Sequence, residues 1–289
     1  MDRNRPIHRV QRPGDRASGD AGRSQQAHRS AHPEPVRRVV LLGASNLSRT
    51  LVVAVETTRR HWREPVDMLI AAGHGRSYAI ATRVLGRGLS SIDDCRLWKV
   101  LASKSPLPTT AVVTDVGNDV MYGVPTDTVL LHIRRCLERL QRHEARIVIT
   151  RLPLAAVSRL KPWLYYPLRA AMFPGNSSSF ADVLQQAKRL DEGLARLAEE
   201  FRAHLLEVQP QWYGFDSIHI RFDRAATAWR EFTAAWADGV TTSDEVRVPW
   251  HRILAGAAWR PDERSLFGVV QRRAQPIITD VDGSSISLY

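Results

Sequence analysis

An α/β fold on a mostly parallel sheet is what this chain predicts, and three observations predict it. From Arg38 to about residue 240, short apolar runs alternate with longer stretches of helical period, which is the pattern of βα units. The runs, such as Val39-Val40-Leu41-Leu42 and Ile147-Val148-Ile149, read as buried strands. Several of them end in small or hydrogen-bonding residues, where the loops of an open sheet gather into a crevice.

Taken in order, the first strand spans about residues 38–43 and a helix about 48–61. A second strand at about 66–71 leads through a glycine turn, Gly73–Ser77, into a helix over about 77–88. Residues 89–109 are less regular, with a short helix around Cys95–Ala102. Strand three is about 110–115, and Pro125 opens a helix running to about 142, where its missing N–H does no harm. Strand four is Ile147–Thr150. The helix over Phe180–Arg202 carries an apolar stripe at Val183, Ala187, Leu190, Leu194 and Leu197. Strand five is Leu205–Val208. Asp223 then caps a helix with Trp229, Phe232 and Trp236 on one face, and Gly239 stops it. Three segments follow from this reading: a basic tail over 1–37, a domain over 38–240, and an irregular extension over 241–289. Trp250, Trp259 and Phe267 are expected to anchor that extension to the domain.

With 44% hydrophobic residues among 289, the chain can bury a sizeable core. Its two cysteines, Cys95 and Cys136, form no CxxC and suggest neither a disulfide framework nor a zinc site. No apolar run approaches a membrane span, and the first residues lack the apolar stretch of a secretory signal, so a cytoplasmic protein is expected. The formal charge is +11. Residues 1–38 hold nine arginines against four acids, and their composition reads as a disordered, solvated leader.

Four segments carry the chemistry. They are Gly43-Ala44-Ser45-Asn46, Gly73-His74-Gly75-Arg76-Ser77, Gly117-Asn118-Asp119 and Asp216-Ser217-Ile218-His219. A serine hydroxyl needs a base to take its proton, and that base needs a carboxylate to hold its tautomer. Asp216 and His219, three residues apart, can present both groups to one crevice. A developing oxyanion needs donors fixed in advance: the serine N–H, a glycine-loop N–H and the Asn118 amide meet that need. Asp115 and Asp119 read as turn and capping residues, since no third ligand stands nearby to make a metal site.

These four segments resemble blocks I, II, III and V of the SGNH (GDSL-type) hydrolase family. The resemblance implies a flavodoxin-like, three-layer α/β/α sandwich with a mostly parallel five-stranded sheet. It implies a serine hydrolase acting on an ester, thioester or O-acetyl bond of a small-molecule substrate, without metal or cofactor. Ser45 matches the nucleophile, His219 the base and Asp216 its partner. Asn118 matches the oxyanion asparagine, and Gly75 the oxyanion glycine, with Gly73 as the fallback. The chain departs from the pattern twice. Ala44 stands where the family has an aspartate that orders the turn, a role Asn46 takes in part. Val116 stands at the first glycine of block III, with Gly117 beside it.

His74 lies next to the glycine loop and is a candidate substrate contact. Region 153–179 is dense in aromatics, including Trp163, Tyr165, Tyr166 and Phe173. It reads either as a lid or acyl-pocket wall, with Tyr165 and Phe173 against substrate, or as a helical insertion packed on the core. Two rival functions stand beside the hydrolase: a binding module whose altered blocks have lost catalysis, and a basic nucleic-acid binder. The second is the weaker, because no phosphate-cradling glycine motif is present.

Overall fold

The computed structural model describes residues 33–173, 175–236 and 246–289. The arginine-rich residues 1–32 and the helix stop expected at Gly239 lie outside the described residues. The strands are β1 (Arg37–Leu42), β2 (Val66–Ala71), β3 (Thr82–Val84), β4 (Arg87–Leu89), β5 (Thr109–Val113) and β6 (Arg146–Thr150). They continue with β7 (His204–Leu206), β8 (Glu263–Leu266), β9 (Val269–Arg272), β10 (Ile278–Thr279) and β11 (Ser285–Leu288). The helices are α1 (Ser45–Arg49), α2 (Leu51–Trp62), α3 (Leu97–Ser103), α4 (Asn118–Met121) and α5 (Thr126–Gln141). After these come α6 (Leu154–Val157), α7 (Pro162–Met172), α8 (Phe180–Glu200), α9 (Phe222–Ala234) and α10 (Trp250–Gly256).

The central sheet runs β10-β11-β2-β1-β5-β6-β7. Five consecutive members ending at the β7 edge, β2-β1-β5-β6-β7, are the five strands expected from the apolar runs, and all pair in parallel. Counted among themselves they follow the order 2-1-3-4-5 of flavodoxin-like sheets, whose switch point lies between the first and third strands. Here that point lies between β1 and β5.

Alternation along the strands makes the three layers. Val40, Leu42, Ala111 and Val113 face a core closed by Trp98, Ile133, Leu137, Leu190 and Leu194 of α3, α5 and α8. Val39, Leu41, Met68, Ile70 and Val112 face the opposite core, closed by Val53 of α2 and by Trp229 and Phe232 of α9. Trp236, just past α9, joins that second core and donates its indole N–H to the Ala111 carbonyl at 3.0 Å. Cys136 is fully buried in the first core. Among the described residues, no helix is long and apolar enough to cross a membrane.

The structure corrects the sequence reading at three places. The helix expected over 77–88 is a turn followed by the hairpin β3–β4. Asp119 accepts from the Ser77 hydroxyl (2.5 Å) and from the N–H groups of Tyr78 (3.0 Å) and Ala79 (3.1 Å), which fixes the turn in a non-helical form. The extension over 241–289 is ordered where described: β11 pairs in parallel with β2, and β10 pairs with β11, which makes the sheet seven-stranded. Strands β8 and β9 join β3 and β4 in a second, antiparallel sheet ordered β3-β4-β8-β9. Of the three expected anchors, Trp259 packs on the core while Trp250 and Phe267 are exposed. Buried Ile286 and Leu288 of β11 do the anchoring instead. Finally, Asp223 lies inside the first turn of α9 and pairs with Arg221, so it is not the cap residue.

Candidate active site

Leu42 pairs with Ala71 on one side and Val113 on the other, so the loops after β1, β2 and β5 leave the sheet side by side. The Tyr78 hydroxyl lies between the Leu42 carbonyl (3.0 Å) and the Thr114 carbonyl (2.7 Å), fixing two of those exits to the residue that follows the third. Ser45 opens α1 within this cluster.

The turn carrying Ser45 is ordered from across the switch point. Asp115 Oδ2 accepts from the N–H groups of Ala44 (2.9 Å) and Leu47 (3.0 Å), and its Oδ1 accepts from the Asn46 amide (2.8 Å). A carboxylate on the N–H groups of the N-cap residue Ala44 and of Leu47 in the first turn acts as a cap supplied by another loop, and α1 has no side-chain cap of its own. Asp115 adopts φ 60°, a conformation that aspartate tolerates better than most residues. The sequence reads Asp115 as a turn or helix-capping residue, and here it caps α1. The helix it caps lies about 70 positions away in the chain, so spacing gives no sign of which one.

Asn46 ties this turn to the fourth segment. Its amide nitrogen also donates to the Ile218 carbonyl (2.9 Å), and its amide oxygen accepts from the Ile220 N–H (2.7 Å). A bridge between Tyr213 and Ile220, with the Gly214 N–H on the His219 carbonyl (2.9 Å), closes the loop that holds Asp216 and His219. Within it, Asp216 Oδ1 accepts from the N–H groups of Ile218 (3.2 Å) and His219 (3.0 Å).

The side chains of Ser45, His219 and Asp216 are thereby brought into one hydrogen-bonded series. His219 Nδ1 lies 2.7 Å from Asp216 Oδ2, and His219 Nε2 lies 3.1 Å from Ser45 Oγ. Burial by itself would raise the Asp216 carboxyl, but hydrogen bonds from the His219 ring and backbone outweigh it and hold the group below the usual aspartate range. An ionised Asp216 only accepts, so Nδ1 carries the proton and Nε2 presents its lone pair to the serine hydroxyl.

The glycine turn stands beside this series. Gly75 takes φ +63°, and a Cβ there would lie 2.5 Å from Val84 Cγ2 and 2.8 Å from the Tyr122 hydroxyl oxygen. Tyr122 donates to the Gly75 carbonyl at 2.7 Å, and burial, then the nearby Asp119 charge, push its phenol up to about 12, so it stays a donor. The Asn118 side chain donates to the Arg76 carbonyl at 3.2 Å, and its second amide hydrogen has no partner among the described residues. Gly73 answers a packing need, since a Cβ there would fall 2.3 Å from Leu89 Cδ1. Arg76 is fully buried and donates to the main-chain oxygens of Ser90 (3.0 Å) and Tyr289.

The remaining candidates separate. His74 is exposed beside the glycine turn, and partial burial followed by the charges of Arg87, His219 and Arg49 holds its imidazole below the ordinary range. Phe173 is buried edge-on to Tyr122, with ring centroids 5.0 Å apart, so it backs the residue that bonds Gly75. Tyr165 is 4% exposed, packs on Phe180, and donates its hydroxyl to the Ser178 carbonyl at 3.1 Å. Region 153–179 is thus a helical segment, α6 and α7, whose inner aromatics pack while Trp163 and Tyr166 stay exposed.

No protein-family model matches the chain, and no curated protein matches it. Solved structures do. The chain is similar to the psychrotrophic esterase EstA from Pseudoalteromonas sp., at 13% identity over 68% of this chain and 95% of that one, with a TM-score of 0.43. It is similar to a carbohydrate acetylesterase family member from Sinorhizobium meliloti, at 16% identity over 65% and 92%, with a TM-score of 0.41. It is also similar to AlinE4, an SGNH-hydrolase family esterase, at 18% identity over 76% and 90%, with a TM-score of 0.36.

Proposed function

We propose that the chain is a serine hydrolase that cleaves an ester-type acyl bond through Ser45, His219 and Asp216. One observation carries the reading: the unbroken series from Asp216 Oδ2 through the imidazole to Ser45 Oγ, at 2.7 and 3.1 Å. In the proposed reaction Ser45 Oγ attacks the acyl carbonyl while His219 Nε2 takes the hydroxyl proton. Asp216 steadies the imidazolium so formed. The tetrahedral oxyanion is held by the Ser45 and Gly75 N–H groups and the free amide hydrogen of Asn118. Collapse breaks the bond to the leaving group, which departs with the proton from His219. Water then attacks the acyl-serine and gives a proton to His219 Nε2; as the acyl–oxygen bond breaks, His219 passes that proton to Ser45 Oγ, which releases the carboxylic acid and restores the serine hydroxyl.

The departures from the family pattern do not count against catalysis. Ala44 lacks the side chain that would order the turn, but Asp115 binds the Ala44 and Leu47 N–H groups and the Asn46 amide. The substrate expected is a small ester, thioester or O-acetylated molecule, with His74 at the rim of the site. Ser45→Ala should remove hydrolysis of a p-nitrophenyl ester and leave the circular-dichroism spectrum and Tm unchanged. Turnover kept within about tenfold of wild type would be too high for a lost nucleophile, and the reading would fall.

A further inference from the structure

The second sheet ends in two tight turns set side by side. Val84 pairs with Arg87 across β3–β4, and Leu266 pairs with Val269 across β8–β9, so each hairpin has a two-residue loop: Leu85-Gly86 and Phe267-Gly268. All four loop residues have positive φ, at 48°, 76°, 47° and 89°. That is the geometry in which Asn-Gly or Asp-Gly is the ordinary choice. Here the first position is instead a large apolar residue held in a left-handed conformation and exposed: Leu85 is 94% exposed, and Phe267, whose ring lies across Gly86, is 80% exposed. Arg87 pairs with Leu266, and the Phe267 N–H donates to the Gly86 carbonyl at 2.8 Å, so the two tips form one apex. Val269 and Val270 extend the apolar surface along β9.

Cations surround this apex. The two hairpins hold Arg83, Arg87, Arg264 and Arg272 against one acid, Glu263, which is already paired with Arg272 at 2.8 Å. Arg83 and Arg87 are exposed and have no carboxylate partner among the described residues. The apex also adjoins the Ser45 crevice. Val84 packs over Gly75, and Arg87 lies near enough to His74 to help depress it.

We infer that the paired hairpin tips dock on an anionic lipid surface, with Leu85 and Phe267 entering between headgroups and Arg83 and Arg87 contacting lipid phosphates. Two exposed apolar side chains beside arginines that have no carboxylate partner among the described residues match an interface that is negative outside and apolar beneath. A second copy of the chain fits less well, because a two-fold contact here would set Arg83 and Arg87 against their own like charges. Docking requires no hydrolysis, so it stands or falls separately from the proposed chemistry.

The test is co-sedimentation of the full chain with vesicles of phosphatidylcholine alone and of phosphatidylcholine mixed with phosphatidylglycerol, at low and high salt. The chain should sediment with the mixed vesicles only, and less so as salt rises. Leu85→Asn combined with Phe267→Asn should weaken that binding by more than about tenfold, since two apolar insertions are lost. Asparagine suits both turns, so Tm should hold or rise. Arg83→Gln combined with Arg87→Gln should weaken binding and flatten its salt dependence without needing the tip variant to fold. Wild-type binding by both variants would place the contact elsewhere, such as the arginine-rich residues 1–37, and overturn the proposal. So would absence of sedimentation with either vesicle, or a concentration-dependent dimer that the tip variant abolishes while vesicles have no effect.

Discussion

Around Ser45 the chain buries polar groups, and at the paired hairpins it exposes apolar ones. Asn46, Ser77 and Asp119 are buried at the loops after β1, β2 and β5, yet every one is hydrogen-bonded to backbone or to a neighbouring side chain. Leu85 and Phe267 stand nearly free at the apex of the second sheet. A buried polar group costs stability unless it is satisfied, so the first arrangement holds only while its network is complete. A bulky residue in a left-handed turn gains nothing for the fold by being exposed. The two regions depart from ordinary residue preference in opposite directions. In the first, the compensation lies inside the molecule; in the second, the proposed lipid surface supplies it from outside.

The contrast breaks most completely at the imidazole. His219→Ala should lower kcat/KM by about 10⁴-fold or more, and Asp216→Asn by about 10⁴-fold because it favours the wrong tautomer. Combining the two should add little, since each acts through the other. The pH dependence has a definite sign. Asp216 must stay ionised to hold the ring, and it is held below the ordinary aspartate range, so the acid limb on which this carboxylate is lost lies below that range. Activity should therefore rise with pH along that limb in wild type. A strictly multiplicative double variant, measured by initial rates, would show two independent groups.

Asn118→Ala comes next. Its amide is bonded on one side to the Arg76 carbonyl and has no second partner among the described residues, so removing it should lower kcat by about 10²–10³-fold with little change in KM. A raised KM with kcat intact would make Asn118 a ground-state binder. The smallest effect sharpens the comparison. Asp115→Ala leaves the Ala44 and Leu47 N–H groups and the Asn46 amide without their acceptor, which should cost about 1–3 kcal/mol of stability. Because it misplaces Ser45 without touching the reaction, it should also lower kcat by about tenfold. Chemical denaturation beside the rate measurement separates the two losses. No loss in either would mean that Asn46 alone orders the turn.

The central sheet was legible because its evidence is local. Val39–Leu42, Val66–Ala71 and Ile147–Thr150 are apolar runs whose length and composition suit buried parallel strands, and the structure places strands there. Three of the four candidate segments, those at Gly43, Gly73 and Gly117, were legible for a related reason: they follow the ends of β1, β2 and β5 within a few residues, whereas Asp216–His219 lies beyond β7 and the turn Pro210–Trp212. The hairpin β3–β4 was misread because Tyr78, Val84 and Leu85 can be laid on a helical period, and the signal that decides against it is the bonding of Asp119, about 40 residues away. Strands β10 and β11 escaped notice because only Ile286 and Leu288 mark β11 as apolar, beside the polar turn at 280–284. The sequence leaves Tyr165 open between a pocket wall and a packed insertion, because an aromatic in a loop and one in a packed helix read alike. Its burial against Phe180 is a tertiary fact.

Covalent capture of the serine bears most directly on the claim that Ser45, His219 and Asp216 form one nucleophilic unit. The chain would be treated with a fluorophosphonate, digested and mapped by mass spectrometry, with labelling rates compared across wild type, Ser45→Ala and His219→Ala. The account predicts a single adduct on the peptide carrying Ser45, absent from Ser45→Ala and formed far more slowly by His219→Ala. An adduct on another serine, or labelling of Ser45 at the wild-type rate without His219, would contradict it.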